Sequence, residues 1–182
     1  MTNTSPAADN GNDLWTYCLA LYAEPGIASA CIMLQDRYGV DVNLVLYASW
    51  AAGRRPNALT DQDFIPLIAA TDTWQRHVTS TIRQARRALK SEAEPLSDEA
   101  YQDLRRHLLD AELGAEKIEI DRLFALSPLE NVEAAAIDVR ERAERNIRAY
   151  LTHLGITPDA DAATAVATIA AAAGELQDRA CD

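Results

Sequence analysis

Gln35, Asp41 and Asn43 flank the glycine turn within CIMLQDRYGVDVNLVLYASW, residues 31–50. On a helix that begins at Val42, the residues Asn43, Tyr47 and Trp50 are spaced by four and three and share a face, while Asp41 sits at that helix's positive end. A buried amide offers donors and an acceptor. Gln35 and Asn43 can therefore read the polar edge of a small-molecule ligand while Trp50 and Trp74 supply apolar walls. The structural alternative gives the same residues to the fold: Asp41 caps a helix, the amides satisfy turn backbone groups and the indoles fill core.

Arg83, Arg86, Arg87 and Lys90 form a second cluster near the end of a helix. Guanidinium forks take phosphate or carboxylate bidentately, so this is a candidate patch for an anion or an acidic partner surface. The duller account has these cations complement the helix dipole and pair with Glu92, Glu94, Asp98 and Asp103. Glu112, Glu116 and Glu119 are a third set, three acids on one helical face with His107 a turn upstream. Carboxylate metal sites in helical bundles add a Glu-x-x-His pair. This chain has none, and His77, His107 and His153 fall on separate helices, so the acids are expected to face solvent and pair with Arg76 or Lys117. No metal site or cofactor is assigned. A glycine-rich phosphate loop, a Gly-x-Ser-x-Gly elbow and zinc-finger spacing are also missing, which argues against an enzyme.

Helices must position these groups. Expected spans run from about Leu14 to Ala23, Ile27 to Tyr38 and Val42 to Ala52, punctuated by Pro25-Gly26, Gly39 and Gly53. The Val42 helix is apolar on nearly all sides and should be the most buried. Thr60 and Asp63 resemble a helix start for Asp61 to Ala70, followed by a separate helix from Asp72 to Ser91. Ser97 can cap a helix to Ala125 whose inward stripe reads Tyr101, Leu104, Leu108, Ala111, Ala115, Ile118 and Arg122. Ser127, Pro128 and Glu130 then signal a helix to Leu154, with a coiled-coil-like seam from Val132 to Leu154. Asp161 caps an alanine-rich last helix that docks through Val166, Ile169, Ala173 and Leu176.

At 182 residues, one core suffices without a staple. A net charge of -11 and a pI near 4.7 oppose attraction to nucleic acid or to an anionic membrane surface. Residues 1–12 read as a disordered tail without a secretory pattern, and no apolar run is long enough for a membrane span. Three cysteines without metal spacing suit a reducing compartment, and Cys18 and Cys31 fall on apolar faces as core thiols.

The stretches LWTYCLALYAEPGIASACIMLQDRYGVDVNLVLYASW, TWQRHVTSTIRQARRALK and AELGAEKIE resemble a family of small bacterial proteins known only as conserved proteins of unknown function. Its most specific part is the pattern of Leu34, Gln35, Gly39, Asp41, Val42, Asn43 and Trp50. The resemblance covers about residues 13–155 and implies a helical fold and a bacterial cytoplasmic origin, without naming a reaction.

The sequence thus predicts an all-α, compact single-domain bundle of about seven or eight helices with a long-helix hairpin, spanning residues 13–182. Its leading function is that of a non-enzymatic cytoplasmic interaction or adaptor protein, bound to another protein or to itself through the Val132 to Leu154 seam. The alternative is a small-molecule-binding protein or enzyme using the polar turn.

Overall fold

Capping chemistry fixes several helix boundaries in this computed structural model, which describes residues 13–55, 57–92, 99–127 and 138–181. Helix α1 (Asp13–Tyr22) and helix α2 (Ile27–Tyr38) meet at 98°. Gly26 turns that corner at φ +83°, a conformation that costs a residue without Cβ little. Gly39, at φ +68°, ends α2 by donating its N–H to the Gln35 carbonyl at 2.9 Å. Asp41 then starts α3 (Val42–Ala51), its carboxylate accepting from the Asn43 N–H at 2.9 Å. Thr60 and Asp63 close a capping box ahead of α4 (Phe64–Trp74), with the Thr60 N–H donating to Asp63 Oδ2 at 2.8 Å.

The remaining helices are α5 (Ser80–Glu92), α6 (Glu99–Ala125), α7 (Val139–His153) and α8 (Ala160–Cys181), and the protein is all-α. Helix α3 is its axis. Every residue from Asn43 to Ala51 is buried, because α1, α2, α6, α7 and α8 all pack against the helix. One continuous core joins Leu34, Leu44, Trp50, Phe64, Ile120, Ile147 and Val166. Full burial of such side chains contributes about 1.5–3 kcal/mol each. Helix α8 docks as its sequence predicts, with Val166, Ile169 and Ala173 buried and Leu176 packed at the edge. No single described helix is long and apolar enough to cross a membrane.

Four expectations are corrected. The break between residues 70 and 72 does not exist: α4 runs through Thr71 into a π-helical turn at Gln75–Thr79 and on into α5. Helix α7 begins later than the Pro128 signal implied. Asp138 stands in extended backbone and caps it, accepting from the Glu141 N–H at 3.0 Å. Ser127 instead closes α6 by donating to the Leu123 carbonyl at 2.9 Å. The α7 part of the supposed partner seam is not free, since Ala143, Ile147 and Tyr150 are buried and α7 packs on α3 and α8. The inward stripe of α6 is also displaced. Ala115 is buried as expected, but Leu104 and Ile118 are exposed, and Glu112, Glu119, Ile120 and Leu123 are buried in their place. The tail at residues 1–12, the turn around Ser97 and the Pro128 to Ala136 segment lie outside the described residues.

One buried amide ties the layers together. Asn146 on α7 accepts from the Leu59 N–H at 2.7 Å and donates to the Ala48 carbonyl at 2.9 Å. It is fully enclosed, so both partners depend on it. Asn146→Ala leaves the Leu59 N–H buried without an acceptor and opens a small void, which should cost about 2–4 kcal/mol of unfolding free energy. Urea denaturation checks this, and a loss below about 0.5 kcal/mol would show that water replaces the amide.

Candidate functional site

The π turn decides what α5 can do. Trp74 and Arg83 are nine residues apart, half a turn out of phase on a regular helix of 3.6 residues per turn. The extra residue of the π turn brings them back by about 100°, so both reach α6. Trp74 Nε1 donates to the Ala115 carbonyl at 3.0 Å, and the Arg122 guanidinium covers its ring at 4.6 Å. Beyond the turn, α5 lies antiparallel to α6, with the Tyr101 hydroxyl donating to the Leu89 carbonyl at 3.0 Å.

Arg83 and Arg86 then meet the glutamates of α6. Arg83 donates through Nε to Glu112 Oε1 at 2.8 Å and through Nη2 to Glu116 Oε1 at 2.7 Å. Arg86 holds Glu112 from the other side, through Nε and, at 3.2 Å, through Nη2. Arg87 reaches across to α2, where its Nη2 lies 2.8 Å from Asp36 Oδ1. The acid row is therefore not a solvated face: Arg76 pairs with Asp72 and Lys117 with Asp121 instead. Nor do these arginines take Asp103, which pairs with Arg106. Lys90 is exposed and is not among the residues that line the cleft.

Above this lattice lies a cleft of about 260 Å³. Its polar lining contains Gln35 and Asn43 from the turn and Arg83, Arg86, Arg87, Glu112 and Glu116 from the α5–α6 hairpin. Two sequence candidates are thus one place. Its apolar lining includes Trp15, Leu19 and Tyr22 of α1, Ile32 of α2, Leu46 of α3, and Leu109, Leu113 and Ile120 of α6. The other proposed ligand residues lie elsewhere. Asp41 is absorbed by its cap and by Tyr150, whose hydroxyl accepts from the Asp41 N–H at 3.1 Å. Trp50 packs in the core 5.8 Å from Tyr47 and 6.1 Å from Phe124, and Trp74 is committed to α6. The indole that walls the cleft is Trp15. Sequence spacing missed it, although a Trp15, Leu19, Tyr22 stripe at four and three residues is the signal of a shared helical face.

Electrostatically the glutamates divide. Burial pushes Glu112 up, but hydrogen bonds from Arg86 and Arg83 outweigh it and hold the carboxylate below its usual range. Burial of Glu116 prevails over its single guanidinium, so that acid is raised. Glu119, one turn further and completely buried, has no hydrogen-bond partner for either oxygen. Burial and the facing Asp41 both disfavour its charge and hold it protonated well above the ordinary glutamate range. Burial also raises the Cys18 and Cys31 thiols, the latter to about 12, so neither is a nucleophile at neutral pH. Among the described residues no three His, Cys, Asp or Glu side chains gather as a metal site.

Fold and cleft together define an all-α protein with an ion-paired hairpin set against an apolar-rimmed cavity. Residues 13–123 match the family described as Protein of unknown function (DUF2390), and the chain belongs to that family. No curated protein and no solved structure matches the chain. The match ends short of residue 155. It contains every residue that lines the cleft, while α7 and α8 lie beyond it.

Glu119 gives a pH-dependent prediction. Because its folded value is raised, its contribution to stability is full below the unfolded value of about 4.3 and is lost as pH climbs toward the folded value. Glu119→Gln keeps the neutral form at every pH. The variant should match the natural protein near pH 4 and gain on it by about 1.4 kcal/mol per pH unit above that, reaching about 3–4 kcal/mol at pH 7 in denaturant melts. A gap that is constant with pH would show that Glu119 is not held neutral.

Proposed function

We propose that this chain is a non-enzymatic interaction module that takes an apolar segment of another protein into the cleft. One observation carries the reading: Leu19, Tyr22, Ile32, Leu109 and Leu113, each 41–52 % exposed, converge on a single cavity. Scattered exposed leucines are ordinary, whereas a convergent apolar patch marks an interaction site. At about 260 Å³ the cavity is slightly smaller than the roughly 300–1,000 Å³ of pockets for drug-sized ligands, which suits the anchoring side chains of a partner. The backbone of the polar turn is satisfied by the Gly39 and Asp41 caps and by Tyr150, which leaves fewer main-chain groups to read a ligand. The free buried thiols support a reducing compartment, and the family resemblance a bacterial cytoplasmic one.

A second reading rests on the Gln35 and Asn43 amides in the same lining, which can orient a small polar ligand. Native mass spectrometry of the purified protein separates the two, since a retained ligand adds a discrete mass that Asn43→Ala removes.

For the leading reading, Leu113→Asp and Ile32→Asp alter half-exposed positions and should change unfolding free energy by no more than about 0.5 kcal/mol. Both should abolish recovery of a specific partner in affinity purification from the native cell. Recovery of the same partner by both variants would remove the cleft from the account.

A further inference from the structure

We infer that the segment the cleft takes is an acidic amphipathic helix of a partner protein, about three turns long. The inference rests on the interaction reading above and names the partner's chemistry.

Length comes from α6. Its lining residues run from Leu109 to Ile120, about 16 Å at 1.5 Å per residue, the length of three helical turns. Leu109, Leu113, Glu116 and Ile120 follow one another at four, three and four residues, the period of a face that packs against another helix. Tyr22 of α1 and Ile32 of α2 add to the apolar lining from outside α6. A helix laid between these walls directs side chains at i, i+4 and i+7 into the cavity.

Sign comes from α5. The chain carries a net charge of -11, yet this wall presents Arg83, Arg86 and Arg87 at i, i+3 and i+4. Arg83 is held between two glutamates. Arg87 is only loosely engaged, because it is 49 % exposed and its partner Asp36 is 46 % exposed. A pair that open in water is weak, and an incoming carboxylate can take the guanidinium from Asp36. The lining carries three guanidiniums against two carboxylates, Glu112 and Glu116, both already engaged by Arg83 and Arg86, so a basic flank finds no free acid there and is disfavoured.

The test selects a phage-displayed library of 16-residue helix-forming peptides on the full-length protein. Enriched peptides should carry large apolar residues at i, i+4 and i+7 and a net negative charge. Synthesised, they should bind Ile32→Asp and Arg87→Glu at least tenfold more weakly, and lose affinity as salt rises, while circular dichroism shows both variants folded. Peptides that Ile32→Asp abolishes but that are neutral or basic, or indifferent to Arg87→Glu, would overturn the acidic helix and leave the interaction reading standing. Failure to select any peptide sensitive to Ile32→Asp would overturn both.

Discussion

The arrangement of the site depends on the charges that α5 and α6 hold between them. Glu112 is 5 % exposed at its side chain and Arg83 14 %, so each has given up most of its water. Burial of that kind is tolerated only when the partner and the remaining hydrogen bonds are in place, and removing one member of such a pair typically costs about 3–5 kcal/mol. Glu112 answers with both oxygens: one takes Arg83 Nε and Arg86 Nη2, the other Arg86 Nε. A slip of one residue between the two helices would leave a carboxylate and two guanidiniums unpaired. The ion pairs therefore set the register of the hairpin, and the π turn at Gln75–Thr79 lets the same rod also place Trp74 on α6.

Such charge is needed because α5 has little else to hold it. No residue of α5 from Ser80 to Lys90 is fully buried, and the charged Arg83 is among those partly enclosed, whereas α3 is enclosed along its length. The two ends of the structure are thus fastened differently. Around α3, apolar burial and the two hydrogen bonds of Asn146 bind α7 and the Leu59 loop into a rigid body. Around α5, Arg83, Arg86 and Arg87 hold by directional contacts that water and salt can reach in part. The cleft lies on the boundary between these regimes, with Asn43 on the rigid side and Arg87 on the other.

Much of the fold was legible in the residues, for a local reason. Asp41, Gly39, the Thr60–Asp63 box and the docking face of α8 act through the few positions beside them. The face of α6 was not legible, because periodicity counts apolar residues and assumes that they point inward. Here the inward positions carry Glu112 and Glu119, while Leu104 and Ile118 face outward. What turns the helix is the arginine row of α5, a partner about thirty residues upstream whose pairing depends on the intervening turn. The four-residue step from Glu112 to Glu116, preceded by Arg83 and Arg86 at three, contained the signal, but only for a hairpin whose register was already known. The same limit separated the Gln35–Asn43 turn from the arginines: no local pattern states that residues 40 positions apart share a cavity.

Glu119 shows how the site and the core constrain one another. It follows Glu112 and Glu116 along one face of α6, yet it has passed the end of the arginine lattice and points into the region of Asp41 and Asn43. Without a guanidinium, a carboxyl buried there beside Asp41 is held as the neutral acid, and its desolvation is a standing cost to the fold. Leucine at that position would pack without that cost, so the residue is unexplained by stability alone. Lying one turn along α6 from the lining residue Glu116, it makes a polar, uncharged contact with Asn43, which also lines the cavity. A neutral Glu119 leaves the floor of the cleft free of negative charge. Among the described residues that line the cleft, the charged groups an entering segment meets are Arg83, Arg86 and Arg87 with Glu112 and Glu116, all on the hairpin wall.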